Sequence, residues 1–132
     1  MQTNLETLER LERRRRERMI DTLRDHFIIC GYGRIGRIVA RQLQRQHVPF
    51  VVVERDPQAV QDALESGVLA VEADASREDV LRRVRIESAR GLIAAVGTDA
   101  ENVYAVLTAR VMRPDLFIIA RVESDDAEHK LR

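Results

Sequence analysis

Phe27-Ile28-Ile29-Cys30-Gly31-Tyr32-Gly33-Arg34-Ile35-Gly36 is a short apolar run that stops on a GxGxxG turn, and its reading decides the fold. An apolar run of this length, ended by glycine, reads as a strand buried on both faces of a parallel sheet. Each glycine has a separate task. Gly31 permits the tight turn out of the strand, and Gly33 lets the backbone approach a pyrophosphate with no Cβ in the way. Gly36 lets the following helix pack closely on the strand. That helix would present its unpaired N–H groups and positive dipole end to phosphates, with Arg34 as an added charge contact.

Outward from this stretch, strand-like and helix-like segments alternate with short connections. Strands are expected at Phe27 to Cys30, Phe50 to Glu54, Leu69 to Glu72, Leu92 to Val96 and Phe117 to Ala120. Helices are expected at Arg34 to Gln46, Gln58 to Ser66, Arg77 to Val84 and Ala100 to Met112. Pro57 suits the first turn of the second helix, and Gly67 suits its end. The class is therefore α/β, a Rossmann-like doubly wound parallel sheet of order 3-2-1-4-5. Its ligands bind beyond the carboxyl ends of the strands, at the switch point between the first and fourth. The polar stretch from Ser124 to Arg132 reads as the opening of another helix. A sixth strand would follow, so the chain reads as a piece of a longer protein that lacks it. Residues 1–25 form a separate part: Leu5 to Leu23 is free of Gly and Pro and reads as an exposed helix, its apolar positions interrupted by Arg13-Arg14-Arg15-Arg16. The division is thus 1–25, a helical linker, and 26–132, the nucleotide-binding domain.

A glycine motif alone is weak, and the confirming residue is an acid about 20 positions on, at the end of the second strand. Glu54 stands there. Its carboxylate can accept from both ribose hydroxyls of an adenosine and would repel a 2′-phosphate, which favours NAD(H) or an adenine mononucleotide over NADP(H). Arg55 keeps the other choice open, because a cation beside the ribose is how a 2′-phosphate is accommodated; it can equally lie along the adenine face. Asp74-Ala75-Ser76 follows the third strand, near the expected adenine position; the alternative is that Asp74 or Ser76 caps the helix starting at Arg77. After the fourth strand, Thr98 faces the switch point, Asp99 reads as the cap of the next helix, and Asn102 approaches the same loop. Arg121 and Glu123 end the fifth strand.

Composition removes other classes. The chain has 132 residues, equal numbers of acids and bases and 33% charged residues, so no global field draws it to nucleic acid. Aromatics are 4% and Trp is absent, leaving no platform for stacked bases. Cys30 is the single cysteine, a small core residue rather than part of a disulfide or metal framework. His26, His47 and His129 are scattered, and no Ser/His/Asp set, Cys/His set or Tyr-x-x-x-Lys pair occurs, so no enzyme activity is expected.

The residues from Phe27 to Gly36, Val52-Val53-Glu54-Arg55-Asp56-Pro57, Ala73-Asp74-Ala75-Ser76, Thr98-Asp99 with Asn102, and Ile118-Ile119-Ala120-Arg121 together resemble the RCK domain, the regulator of potassium conductance. The resemblance implies a cytoplasmic ligand sensor of a potassium channel or potassium-uptake system whose full-length protein sits in the inner membrane. It also implies a homodimer, an octameric ring in a full channel, and a membrane pore domain of the same protein as partner. Residues 1–25 would then join a pore helix to the sensor, with Arg13 to Arg16 near anionic headgroups. The implied ligand is NAD(H), with ATP, ADP and AMP as alternatives. Ca²⁺ ranks lower: Asp74 and Glu123 match calcium-binding relatives, but Arg121 stands where such a relative has an acid. The candidate cofactor-binding set is Gly31, Tyr32, Gly33, Arg34, Ile35, Gly36, Glu54, Arg55, Asp74, Ala75, Thr98 and Arg121, with no catalytic residue. The competing readings are an NAD-binding fragment of an oxidoreductase and a purely structural dimerisation unit.

Overall fold

The structure, a computed structural model, describes residues 4–120; the candidate positions Arg121 and Glu123 and the stretch from Ser124 to Arg132 lie outside the described residues. The elements run α1 (Asn4–Asp21), β1 (Phe27–Cys30), α2 (Arg34–Arg45), β2 (Phe50–Glu54), α3 (Pro57–Glu65), β3 (Ala70–Glu72), α4 (Glu78–Arg83), a 3₁₀ turn (Ile86–Ser88), β4 (Gly91–Ala94), α5 (Asp99–Met112) and β5 (Phe117–Ala120). The five strands form one sheet in the order β3-β2-β1-β4-β5, and every pairing is parallel.

Strand side chains alternate between faces, which divides the core into two layers. Ile28, Cys30, Val51, Val53 and Leu92 point to one side, where they meet Leu81 of α4 and Ala105, Val106 and Ala109 of α5. Ile29, Val52 and Ile93 point to the other, against Ala40 of α2 and Ala59, Val60 and Ala63 of α3. Burial of the Cys30 thiol in the first layer pushes its pKa up to about 12, so it is protonated and inert as a nucleophile. Pro57 opens α3 behind Asp56, whose side chain accepts from the Gln58 amide, and Gly67 leaves that helix at a φ of +76°.

β4 ends two residues earlier than the expected Val96. The Asn102 side chain explains why: its Oδ1 accepts from the Val96 amide at 2.8 Å and its Nδ2 donates to the Val96 carbonyl at 3.3 Å. Val96 thus takes its backbone hydrogen bonds from α5 and not from a neighbouring strand. Asn102 is itself buried, so these bonds also satisfy a polar group in the interior.

α1 has no continuous buried face. Leu5, Leu8, Leu11 and Met19 are exposed, and Ile20 alone is buried, in the α4/α5 layer. The connection from α1 to β1 is held by the segment before β4. The Asp25 amide donates to Ser88 O, the Arg90 amide to His26 O, and Arg85 Nε to Leu23 O, each at 2.7 Å. Arg90 adds a two-pronged contact to the Asp25 carboxylate at 3.1 and 3.2 Å. Asp25 and Arg85 adopt left-handed backbone at φ of +51° and +63°, a conformation this bonding pattern sustains.

His26 sits fully buried in this joint, with Nε2 at 2.8 Å from Val84 O and Nδ1 without a hydrogen-bond partner. Burial, with the Arg85 charge nearby, holds its pKa below the ordinary histidine value, against the opposing effects of the Val84 bond and Asp25. The unfolded chain therefore takes up a proton at about pH 6.5, where the folded one resists it. Stability from this residue is complete above that pH and is lost as pH falls through the depressed folded value. Thermal melts of the wild type should show a midpoint falling between pH 7.5 and 5, with a flatter slope in His26→Gln; equal slopes would exclude the residue.

Candidate functional site

The glycine turn is shaped by two backbone contacts. Gly31 has a φ of +109° and donates its N–H to Val53 O at 2.8 Å. A Cβ there would collide with the Ala95 carbonyl oxygen and lie 2.7 Å from its carbon, so the turn is pressed against the end of β4. A Cβ at Gly36 would collide with the Gly31 carbonyl, which fixes how closely α2 starts to β1. Gly33 differs. A Cβ there would meet no atom within 4 Å beyond its chain neighbours, and its φ of −85° lies outside the left-handed region. The protein's own packing does not require glycine at 33, whereas an approaching ligand would. Gly33 is also the N-terminal cap of α2, with no side-chain cap and no acid in the first turn, so the first amides of the helix face outward beside the exposed Arg34.

Glu54, at the end of β2, closes the turn from the other side. Its Oε1 accepts from the Tyr32 amide at 2.7 Å and its Oε2 from the Asp56 amide at 2.8 Å. One carboxylate thus ties the glycine turn to the β2–α3 loop, and each oxygen keeps acceptor capacity for a further donor.

Beside it lies a cavity of about 240 Å³, lined by Gly31, Val53, Glu54, Arg55, Ala73 to Ser76, Val96, Glu101, Tyr104 and Ala105. Of the expected residues, Gly31, Glu54, Arg55, Asp74 and Ala75 come together here. Asp74 Oδ1 accepts from the Ser76 amide at 2.9 Å and from the Ser76 hydroxyl at 2.7 Å. These two bonds, with Arg55 and Arg77 adding charge, hold its carboxyl below the usual range, so it is ionised at neutral pH. The helix-capping alternative for this pair is not what forms: Arg77 is the cap of α4, without a side-chain bond, and Asp74 and Ser76 instead build the turn ahead of it.

Other expected residues face elsewhere. The Tyr32 side chain is buried in the α2/α3 layer with the Arg37 guanidinium 4.6 Å over its ring, so only its backbone belongs to the site. Ile35 is half-buried and outside the cavity lining. Thr98, expected at the switch point, caps α5 by accepting from the Glu101 amide at 3.1 Å; the cap expected at Asp99 therefore sits one residue earlier, because the Thr98 backbone is extended and its hydroxyl reaches back. Among the described residues no group of three or more His, Cys, Asp or Glu side chains is placed to hold a metal ion.

Sequence reasoning misses the α5 wall. Glu101, Tyr104 and Ala105 lie on one helix face, as their spacing allows, but nothing local says that this face overhangs the strand ends.

The TrkA-N domain family model matches residues 27–132. Potassium channel protein 1 of Methanocaldococcus jannaschii is 38% identical over 114 residues, covering 85% of this chain and 34% of the relative. The chain thus spans about a third of that relative's length. Among solved structures, the TrkA-N domain of the Escherichia coli inner membrane protein YbaL is 32% identical with a TM-score of 0.78, over 83% of this chain and 82% of that one. The GsuK channel bound to NAD is 31% identical with a TM-score of 0.75, over 85% of this chain and 20% of the channel. GsuK has also been solved with ADP, at 31% identity and a TM-score of 0.74 over 85% of this chain and 30% of that one. A Shewanella denitrificans Kef C-terminal domain has been solved with AMP, at 26% identity and a TM-score of 0.67 over 77% of this chain and 61% of that one. No helix among the described residues is long and apolar enough to cross a membrane.

Proposed function

The chain belongs to the TrkA-N domain family, the RCK type, and from that premise we propose that it is a non-enzymatic regulatory domain that binds an adenine nucleotide and controls potassium flux. The observation that carries the reading is the Glu54 cavity, whose lining includes Gly31; Gly33, outside that lining, continues the same turn with open space where a side chain would stand. A nucleoside fits the cavity with its ribose hydroxyls on Glu54. Its phosphates run out over Gly33 to the start of α2 and Arg34. At about 240 Å³ the cavity lies under the roughly 300–1,000 Å³ usual for a whole small ligand, which suits one nucleoside, with the rest of an NAD, ADP, ATP or AMP lying outside it.

In this reading residues 1–25 connect the domain to a membrane pore in a longer inner-membrane protein, and 26–132 form the cytoplasmic sensor. Tyr104, Leu107 and Val111, exposed at helical spacing on α5, suit a homodimer contact, with a ring of such pairs in a full channel. The nucleotide acts by binding one arrangement of the assembly better than another, typically by about 1–3 kcal/mol.

Calorimetric titration of the chain with NAD⁺, NADH, AMP, ADP and ATP is the direct test, and at least one should bind below millimolar. Gly33→Ala should lose about 1 kcal/mol of stability, the cost of alanine in place of glycine at a helix N-cap, and remain folded. Its nucleotide affinity should nonetheless fall by at least about tenfold, or about 1.4 kcal/mol. Unchanged affinity in that variant would remove the phosphate position. Potassium flux through the full-length protein in vesicles, with and without the tightest nucleotide, tests the regulatory half.

A further inference from the structure

Among the described residues Arg55 is the one cation lining the cavity, and the three other charged side chains that line it, Glu54, Asp74 and Glu101, are acids. A cation directly after the acid of β2 is where a Rossmann site receives a ribose 2′-phosphate. Here that cation is engaged. Arg55 Nη1 lies 3.7 Å from Glu101 Oε1, across the cavity mouth on α5, and its charge also acts on Asp74. We propose that Glu101 is a specificity-determining residue that makes the site reject nucleotides phosphorylated at the ribose 2′ position. It does so by holding Arg55 away from that phosphate.

The inference rests on the nucleotide reading and deepens it. Glu54 meets the ribose directly and would repel a 2′-phosphate, but it also ties the glycine turn, so its replacement disturbs the site as a whole. Among the described residues the Glu101 side chain ties no loop in this way; its contact is the one to Arg55. The Thr98 cap uses the Glu101 amide, which glutamine keeps. Both partners are partly exposed, at 62% and 43%, so the pair is weak and Arg55 is released readily once the acid is neutralised.

The test is paired calorimetric titration of the chain with AMP and with adenosine 2′,5′-bisphosphate, in wild type, Glu101→Gln and Glu101→Gln/Arg55→Ala. The wild type should bind AMP and discriminate against the bisphosphate. Glu101→Gln should narrow that discrimination by about threefold to fivefold, the weight of a partly exposed charge contact. The gain should shrink in high salt and vanish in the double variant. If AMP binds the wild type and Glu101→Gln leaves the ratio unchanged, the inference is overturned and the nucleotide reading stands. If the gain persists in the double variant, Glu101 acts by its own charge and not through Arg55, which also overturns it. Where the wild type binds NAD⁺ and not AMP, the pair compared is NAD⁺ and NADP⁺; binding of none of the five nucleotides would overturn the nucleotide reading and this inference together.

Discussion

Gly31→Ala is expected to destabilise the protein by about 2–5 kcal/mol, adding the roughly 1–2 kcal/mol of a left-handed backbone to the roughly 1–3 kcal/mol of an overpacked contact. Its φ of +109° is strained for any residue with a side chain, and the added methyl would meet the Ala95 carbonyl and lie 2.9 Å from the Val96 amide nitrogen. Neither neighbour can retreat. The Ala95 amide donates to Cys30 O at 2.7 Å, and the Val96 amide is bonded to Asn102. Relief would require β1 and β4, the two central strands flanking the switch point, to part. A melting midpoint lower by about 8 °C or more is the expected readout, at about 4 °C per kcal/mol for a chain of 132 residues. A midpoint within a few degrees of wild type would mean that the turn relaxes freely.

Glu54→Ala should give the largest loss of ligand. Hydrogen bonds from ribose hydroxyls to a charged acceptor contribute about 1.5–3 kcal/mol, so affinity should fall by about tenfold to a hundredfold or more. The turn should loosen as well, because the Tyr32 and Asp56 amides both lose their acceptor. Glu54→Gln is informative beside it. Its single amide oxygen can serve only one of these two N–H groups, and its NH₂ would face the other, so glutamine should rescue neither binding nor stability fully. Wild-type affinity in Glu54→Ala would sink the site assignment.

The two substitutions differ in how far the sequence foretells them. Phe27 to Cys30 and Phe50 to Glu54 form strands where the apolar runs place them, and the order β3-β2-β1-β4-β5 is the one expected of a Rossmann-like chain with this glycine turn. At Val96 the same reasoning overshoots, because an apolar residue does not reveal that a side chain six positions on will capture its backbone.

What the amino-acid order by itself determined is the local chemistry: a strand running into three glycines with distinct steric duties, and an acid at the end of the next strand. Those properties depend on periodicity, on the absence of a Cβ and on spacing within one βα unit, all of which are written in consecutive residues. Only the tertiary structure decided that Glu54 bridges two loops, that the Tyr32 ring is buried beneath Arg37, and that Thr98 is engaged in capping α5. It also decided that α5 leans Glu101 over the cavity to meet Arg55. The physical reason is that side-chain direction and helix placement across a sheet are set by how both faces pack at once. That packing joins residues 46 apart in number, such as Arg55 and Glu101, which no local pattern relates.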